Sequence, residues 1–107
     1  MNKDKLKQRI LGEPVDFTLY LEDLIKANRI EDEKALGISK FVIANGPERL
    51  TDKQWYVFLE EGILPYNYVE ECERCAHEIP WSEMLGAVYI NEDNLCGYCS
   101  HLESKDT

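Results

Sequence analysis

The sequence predicts a mainly α-helical protein of the α+β class, with a helical domain over residues 1–63 and a four-cysteine module over residues 64–107. Three observations lead to this prediction. Apolar residues recur at helical spacing in the first half, a turn-forming segment around Pro65 interrupts that pattern, and paired cysteines follow. A chain of 107 residues has room for one domain, or for one small domain with a cross-linked appendage.

Two helices are expected at the start of the chain. Residues 4–11 place Leu6 and Ile10 on one side and stop at Gly12, a residue typical of helix ends. Asp16 is expected to cap the second helix, because its carboxylate can accept from the first backbone amides. The apolar residues of that helix follow the i, i+3, i+4, i+7, i+8 pattern of a buried face: Phe17, Tyr20, Leu21, Leu24 and Ile25.

Two further helices are expected before residue 63. The segment 31–45 begins with three acidic residues and stops at Gly46-Pro47, which suits both ends of a helix. In the next helix, Thr51 and Gln54 have the spacing of a capping box, and Gly62 is expected to end it. Trp55, Tyr56 and Phe58 in this helix are interpreted as core residues.

The second half is predicted to fold as a zinc-ribbon or zinc-finger module with a strand. Pro65 prevents a helix from continuing and Asn67 suits a turn, so the domain boundary is placed at this segment. Residues 87–90 read Ala-Val-Tyr-Ile and are expected to form a strand, with 91–94 as the turn that follows it.

Four cysteines form two pairs of identical spacing, Cys72-x2-Cys75 and Cys96-x2-Cys99, with twenty residues between the pairs. A two-residue gap lets one tight turn direct two sulfurs at the same point, and two such knuckles complete a tetrahedron around one ion. This spacing is typical of a structural zinc site. The sequence therefore predicts one zinc ion with these four cysteines as its ligands.

Other uses of the cysteines are less favoured. Two disulfides, or a thioredoxin-like redox pair, would suit the same residues, but the motif occurs twice and no βαβ unit accompanies it. Iron takes the same sulfur geometry as zinc and is not distinguished by sequence. His77 and His101 each lie two residues beyond a cysteine pair, yet four thiolates already complete the site.

The residues predict a protein that is not an enzyme. A zinc ion with four protein ligands has no open position for water or substrate. The sequence contains no nucleophile elbow, no phosphate-binding glycine loop and no HExxH motif.

Charge and hydropathy point to a cytoplasmic protein with a protein partner. Residues 1–50 carry nine acidic and nine basic side chains, so the whole net charge of −9 lies in residues 51–107. Such a surface suits a partner with a basic surface and repels phosphate. No apolar run is long enough to span a membrane, and the N-terminus lacks the apolar core of a secretory signal.

Direct nucleic-acid binding is not expected. Residues 31–45 and 51–62 have the order of a helix-turn-helix pair, but the second segment offers only Lys53 and Gln54 for bases or phosphates. Trp81, a large side chain inside the cysteine module, is expected either to cover the metal core against the helices or to contact a protein partner. The other candidate partner contacts are the carboxylates that flank the first cysteine pair. These carboxylates are Glu70, Glu71 and Glu73.

A resemblance covers residues 70–105. The run Cys72-x2-Cys75, three residues, Ile79-Pro80, and then Cys96-x2-Cys99 with a polar tail resembles the zinc finger of the DksA/TraR family. Members of that family are bacterial proteins that bind RNA polymerase and modulate transcription. The resemblance implies the same four metal ligands, a bacterial or phage setting, and a regulator that contacts RNA polymerase. The chain lacks the family's long helical hairpin, and its gap between the pairs is longer than usual there.

The functional prediction is a small zinc-binding protein that acts as a protein-interaction or regulatory module. One alternative is the transcription-associated regulator that the resemblance implies. A second alternative is an acidic inhibitor of a nucleic-acid-binding protein, of the kind that a phage or plasmid encodes, because an acidic surface can occupy a basic one.

Overall fold

The computed structural model describes the backbone of residues 3–105 and the side chains of residues 3–102. All regular elements in this part of the chain are helical. In chain order they are α1 (Lys3–Gly12), α2 (Pro14–Lys26), α3 (Glu33–Asn45), a 3-10 turn (Pro47–Arg49), α4 (Asp52–Val57) continuing as a π-helix (Phe58–Ile63), α5 (Trp81–Leu85) continuing as a π-helix (Gly86–Ile90), and α6 (Gly97–Lys105). The chain divides into two compact units, Met1–Asn67 and Tyr68–Thr107.

The first two helices lie close to where the sequence predicts them. Helix α1 ends at Gly12, and its buried residues are Leu6 and Ile10. Helix α2 begins at Pro14, so the prediction of Asp16 as its N-cap was wrong. Proline suits the first turn because its ring presets φ and no intrahelical bond requires its missing N–H. Asp16 lies in that first turn, where its charge still suits the helix dipole.

Side-chain caps start the next two helices. The Asp32 carboxylate accepts from the Ala35 N–H at 2.9 Å and caps α3. The predicted capping box of α4 is present: Thr51 Oγ1 accepts from the Gln54 N–H at 3.2 Å, and Gln54 Oε1 accepts from the Thr51 N–H at 2.9 Å. Both caps use partners three residues apart, which is why the sequence alone indicates them.

Gly62 does not end the fourth helix, contrary to the prediction. The π-helix continues through it to Ile63, and the Leu64 N–H still donates to the Leu59 carbonyl at 2.9 Å. A Cβ atom at residue 62 would lie 3.2 Å from the Cβ of Ala35 in α3. Glycine at this position therefore permits a close approach of the two helices, and its role is packing.

Aromatic packing and one buried asparagine stabilise the helical unit. Phe58 packs edge-on against Phe17 at 6.0 Å and against Trp55 at 6.3 Å between ring centroids. Tyr56 is 59% exposed, so its interpretation as a core residue was wrong. Asn67 is buried, and its side-chain amide donates to the carbonyls of Arg29 at 3.1 Å and Gly62 at 2.6 Å.

The expected strand over residues 87–90 is a π-helical segment, and the described residues contain no strand. Pro80 precedes α5, and the π-helix that follows α5 extends to Ile90. The Asn91 N–H then donates to the Gly86 carbonyl at 2.8 Å. A single strand without a partner would leave its backbone N–H and C=O groups unpaired, whereas a helical turn pairs them locally. The module is therefore a helical cysteine unit instead of a strand-containing ribbon.

Candidate metal centre

The four cysteine thiols lie together in the second unit. The Sγ atoms of Cys72, Cys75, Cys96 and Cys99 are all within 4.8 Å of one another, and those of Cys75 and Cys96 are 3.8 Å apart. Four sulfurs at about 2.3 Å from a tetrahedral zinc ion would be about 3.8 Å from each other. The thiols are therefore close enough to hold one metal ion of this kind, and only small shifts are needed to complete the tetrahedron.

Backbone hydrogen bonds shape the first knuckle. The Ala76 N–H donates to the Cys72 carbonyl at 2.9 Å, and the Cys72 N–H donates to the His77 carbonyl at 2.8 Å. The turn closes because Ala76 has φ 62°, in the left-handed region that favours glycine. The Glu73 N–H donates to the Asn94 carbonyl at 3.1 Å, which ties this knuckle to the segment that leads to the second one.

Helix α6 starts within the second knuckle. The Gly97 N–H donates to a Glu83 carboxylate oxygen, and the Ser100 N–H donates to the Cys96 carbonyl at 2.9 Å. Asp93 accepts from the Leu95 N–H at 3.1 Å through one oxygen and from the Ser100 hydroxyl at 2.7 Å through the other. Two carboxylates thus hold the chain on either side of Cys96.

The thiols differ in acidity. Burial opposes ionisation of Cys72, but hydrogen bonds from the backbone of Cys75, Cys96 and Arg74 lower its pKa to about 6. Burial and the neighbouring thiols raise the pKa of Cys99 to about 12. The His77 backbone lowers the pKa of Cys75, yet burial and the neighbouring Cys72 and Cys96 thiols leave that pKa raised overall. One thiolate thus forms easily and opposes ionisation of its neighbours, a repulsion that a divalent cation removes.

The geometry of the cluster bears on the alternative uses of the cysteines, which are disulfides, histidine ligation and iron binding. All four are free, and the 3.8 Å between the Sγ atoms of Cys75 and Cys96 compares with about 2.05 Å in a disulfide. Neither His77 nor His101 belongs to the group of possible ligands found among the described residues, and both side chains are exposed. Iron and zinc remain equivalent by this geometry.

The residues predicted to bind a partner lie outside the cysteine cluster. Trp81 is 2% exposed and packs against Tyr68, with ring centroids 5.6 Å apart. Glu71 and Glu73 are exposed and Glu70 is half-buried. A Glu73 carboxylate oxygen accepts from the side-chain amide of Asn94 at 3.2 Å. The partner-binding roles of these four residues stay predictions.

Sequence reasoning missed the carboxylates that support the second knuckle. Glu83 is fourteen residues from Gly97, so no local motif indicates their contact. The bond from Leu95 to Asp93 spans two residues and is an Asx turn, a pattern that an aspartate before a cysteine pair can suggest.

Comparison of the chain with known proteins gives no match to a protein-family model, a curated protein or a solved structure. We therefore infer function from the chemistry of the site itself. No helix among the described residues has the length and apolar character needed to cross a membrane.

Proposed function

We propose that the chain is a zinc protein in which one zinc ion has a structural role, and that it acts as a protein-interaction module for a partner with a basic surface. The observation that carries the proposal is the convergence of four free thiols from two CxxC knuckles within 4.8 Å. In an arrangement of this kind, all the ligands of a tetrahedral zinc ion come from the protein.

The size of the second unit supports a structural role for the ion. Its described apolar core is small, and few large side chains are fully buried in it. These are Ile79, Trp81 and Met84. A unit of this size buries too little apolar surface to fold firmly by itself, and a metal cross-link supplies the missing free energy. Four thiolate ligands also leave no position at which the ion would activate water.

The distribution of charge supports a basic partner. The whole excess of negative charge lies in residues 51–107, and a zinc ion with four thiolates adds two negative charges there. Such a field accelerates association with a cationic surface and repels nucleic acid. A protein without an open metal position and with this surface is suited to binding a protein and not to catalysis.

Metal analysis of purified protein tests the zinc assignment. We expect about one equivalent of zinc per chain, and we expect the Cys96→Ser variant to lose it. The Ser82→Ala variant, which changes an exposed residue in the same unit, is the matched control and retains the metal. Metal-free protein with a fully folded second unit, or iron in place of zinc after expression with both metals, would contradict the assignment.

A transcription-associated role is the second candidate. The polar tail after the second cysteine pair belongs to helix α6, and this supports the candidate that the DksA/TraR resemblance implies. The longest helices described, α2 and α3, have 13 residues each, so contact with RNA polymerase would use the finger. Equilibrium binding of zinc-loaded protein to purified bacterial RNA polymerase tests this candidate, with the triple charge reversal of Glu70, Glu71 and Glu73 to lysine as the weakened variant. No binding at micromolar concentrations would exclude it.

A further inference from the structure

We infer that a cleft beside the cysteine cluster is where the basic partner inserts an arginine side chain. The inference depends on the proposed function, because it requires the zinc-loaded cluster. The cleft has a volume of about 390 Å³ and lies entirely within the second unit. Its lining includes three cysteines of the cluster together with two glutamates and a tyrosine: Cys75, Cys96, Cys99, Glu78, Glu83 and Tyr98.

The charge of the cleft selects a cation. Three cysteines line the cleft: Cys75 and Cys96 are half-buried, and Cys99 is only 3% exposed. In a zinc centre with four thiolates, sulfurs that remain accessible carry negative charge and accept N–H hydrogen bonds. Glu78 is exposed and adds a carboxylate. His77 and Pro80 complete the lining, all of it described, and no lysine or arginine belongs to it.

The shape and lining favour arginine over a small inorganic cation. Tyr98 is 72% exposed and lines the same cleft as Cys75 and Cys96, so its ring is accessible there. A guanidinium group stacks on such a face through a cation–π interaction, and its planar fork donates several N–H bonds at once. The surface of the cleft as a whole is mainly apolar, which suits the three methylene groups of an arginine stem.

The carboxylates that were predicted from sequence do not line this cleft. Glu70, Glu71 and Glu73 precede or flank the first cysteine pair, while the cleft uses Glu78, which follows it. In this arrangement the three earlier carboxylates contribute long-range attraction, and the cleft provides the specific contact. The two roles differ in their effects, because steering charges change the association rate and a specific contact changes the dissociation rate.

Titration with a minimal probe tests the inference. Zinc-loaded full-length protein labelled with ¹⁵N is titrated with the capped tripeptide Gly-Arg-Gly, and separately with the same peptide carrying citrulline, which is neutral and nearly isosteric. We expect amide shifts at residues 75–78 and 97–99 with the arginine peptide alone, saturating at millimolar concentrations. Tyr98→Leu and Glu78→Gln should each weaken binding about two- to five-fold, the range expected for one cation–π or exposed charge contact.

Two exposed residues outside the cleft provide matched controls. Tyr66→Leu and Glu61→Gln repeat the same chemical changes in the first unit and should leave the titration unchanged. The zinc content of every sample is measured. Zinc-loaded protein that shows no shift, that responds equally to the citrulline peptide, or that binds as well after Tyr98→Leu would overturn this inference and leave the zinc assignment intact. A protein that takes up no zinc would overturn both.

Discussion

Replacing Ala76 by glycine should strengthen zinc binding. Ala76 has φ 62°, which places an alanine in the left-handed region at the closing turn of the first knuckle. A residue with a Cβ is destabilised there by about 1–2 kcal/mol. Glycine removes that penalty but loses about 0.5–1 kcal/mol more backbone entropy when it is ordered. Near the middle of these ranges the net gain is about 0.5–1 kcal/mol, and the hydrogen bond from the residue 76 N–H to the Cys72 carbonyl is retained.

Because zinc binding and folding of this unit are linked, the gain should appear as an affinity about two- to five-fold tighter. The assay is competition with a chromophoric zinc chelator, together with thermal unfolding of the loaded protein. Ala44→Gly is the matched control: Ala44 is exposed in the last turn of α3, where glycine is expected to cost up to about 1 kcal/mol and to leave zinc affinity unchanged. An Ala76→Gly variant with weaker or equal zinc affinity would refute the argument from backbone strain.

Three further predictions concern the metal, the thiol protons and the helical unit. A chelator should unfold residues 68–107, so that the NMR signals of Trp81 lose their dispersion. Much of the helical circular dichroism signal of residues 3–67 should remain. An unchanged Trp81 spectrum would contradict a structural zinc. The raised pKa values of Cys75 and Cys99 mean that both thiols carry protons at neutral pH and release them when zinc binds. Zinc affinity should therefore fall by about a hundredfold for each pH unit of acidification. Calorimetry in buffers of different ionisation enthalpy should detect at least two released protons. Asn67→Ala should lower the free energy of unfolding by about 2 kcal/mol in denaturant titration, because two carbonyls lose a buried donor. The control Asn45→Ala removes an exposed hydrogen bond and should change stability by less than about 0.5 kcal/mol.

The sequence by itself determined the features whose partners are close along the chain. The capping box at Thr51 joins residues three apart, and helix α2 shows its buried face through its periodicity. The cysteine cluster could also be predicted from the sequence. Two CxxC turns supply all four ligands of one ion, and this does not depend on the secondary structure of the residues between them.

Tertiary structure decided what depends on distant partners. Residues 87–90 have the composition of a strand, but a strand requires another strand beside it, and none lies in the described part of the chain. Gly62 is a residue type that often ends helices, but in the folded chain it packs closely against Ala35. The contact between Glu83 and Gly97 spans fourteen residues, so only the folded chain places that carboxylate at the second knuckle. Local hydrogen bonds and ligand chemistry depend on short segments of the sequence. Packing contacts and buried hydrogen bonds depend on which distant segments the folded chain brings together.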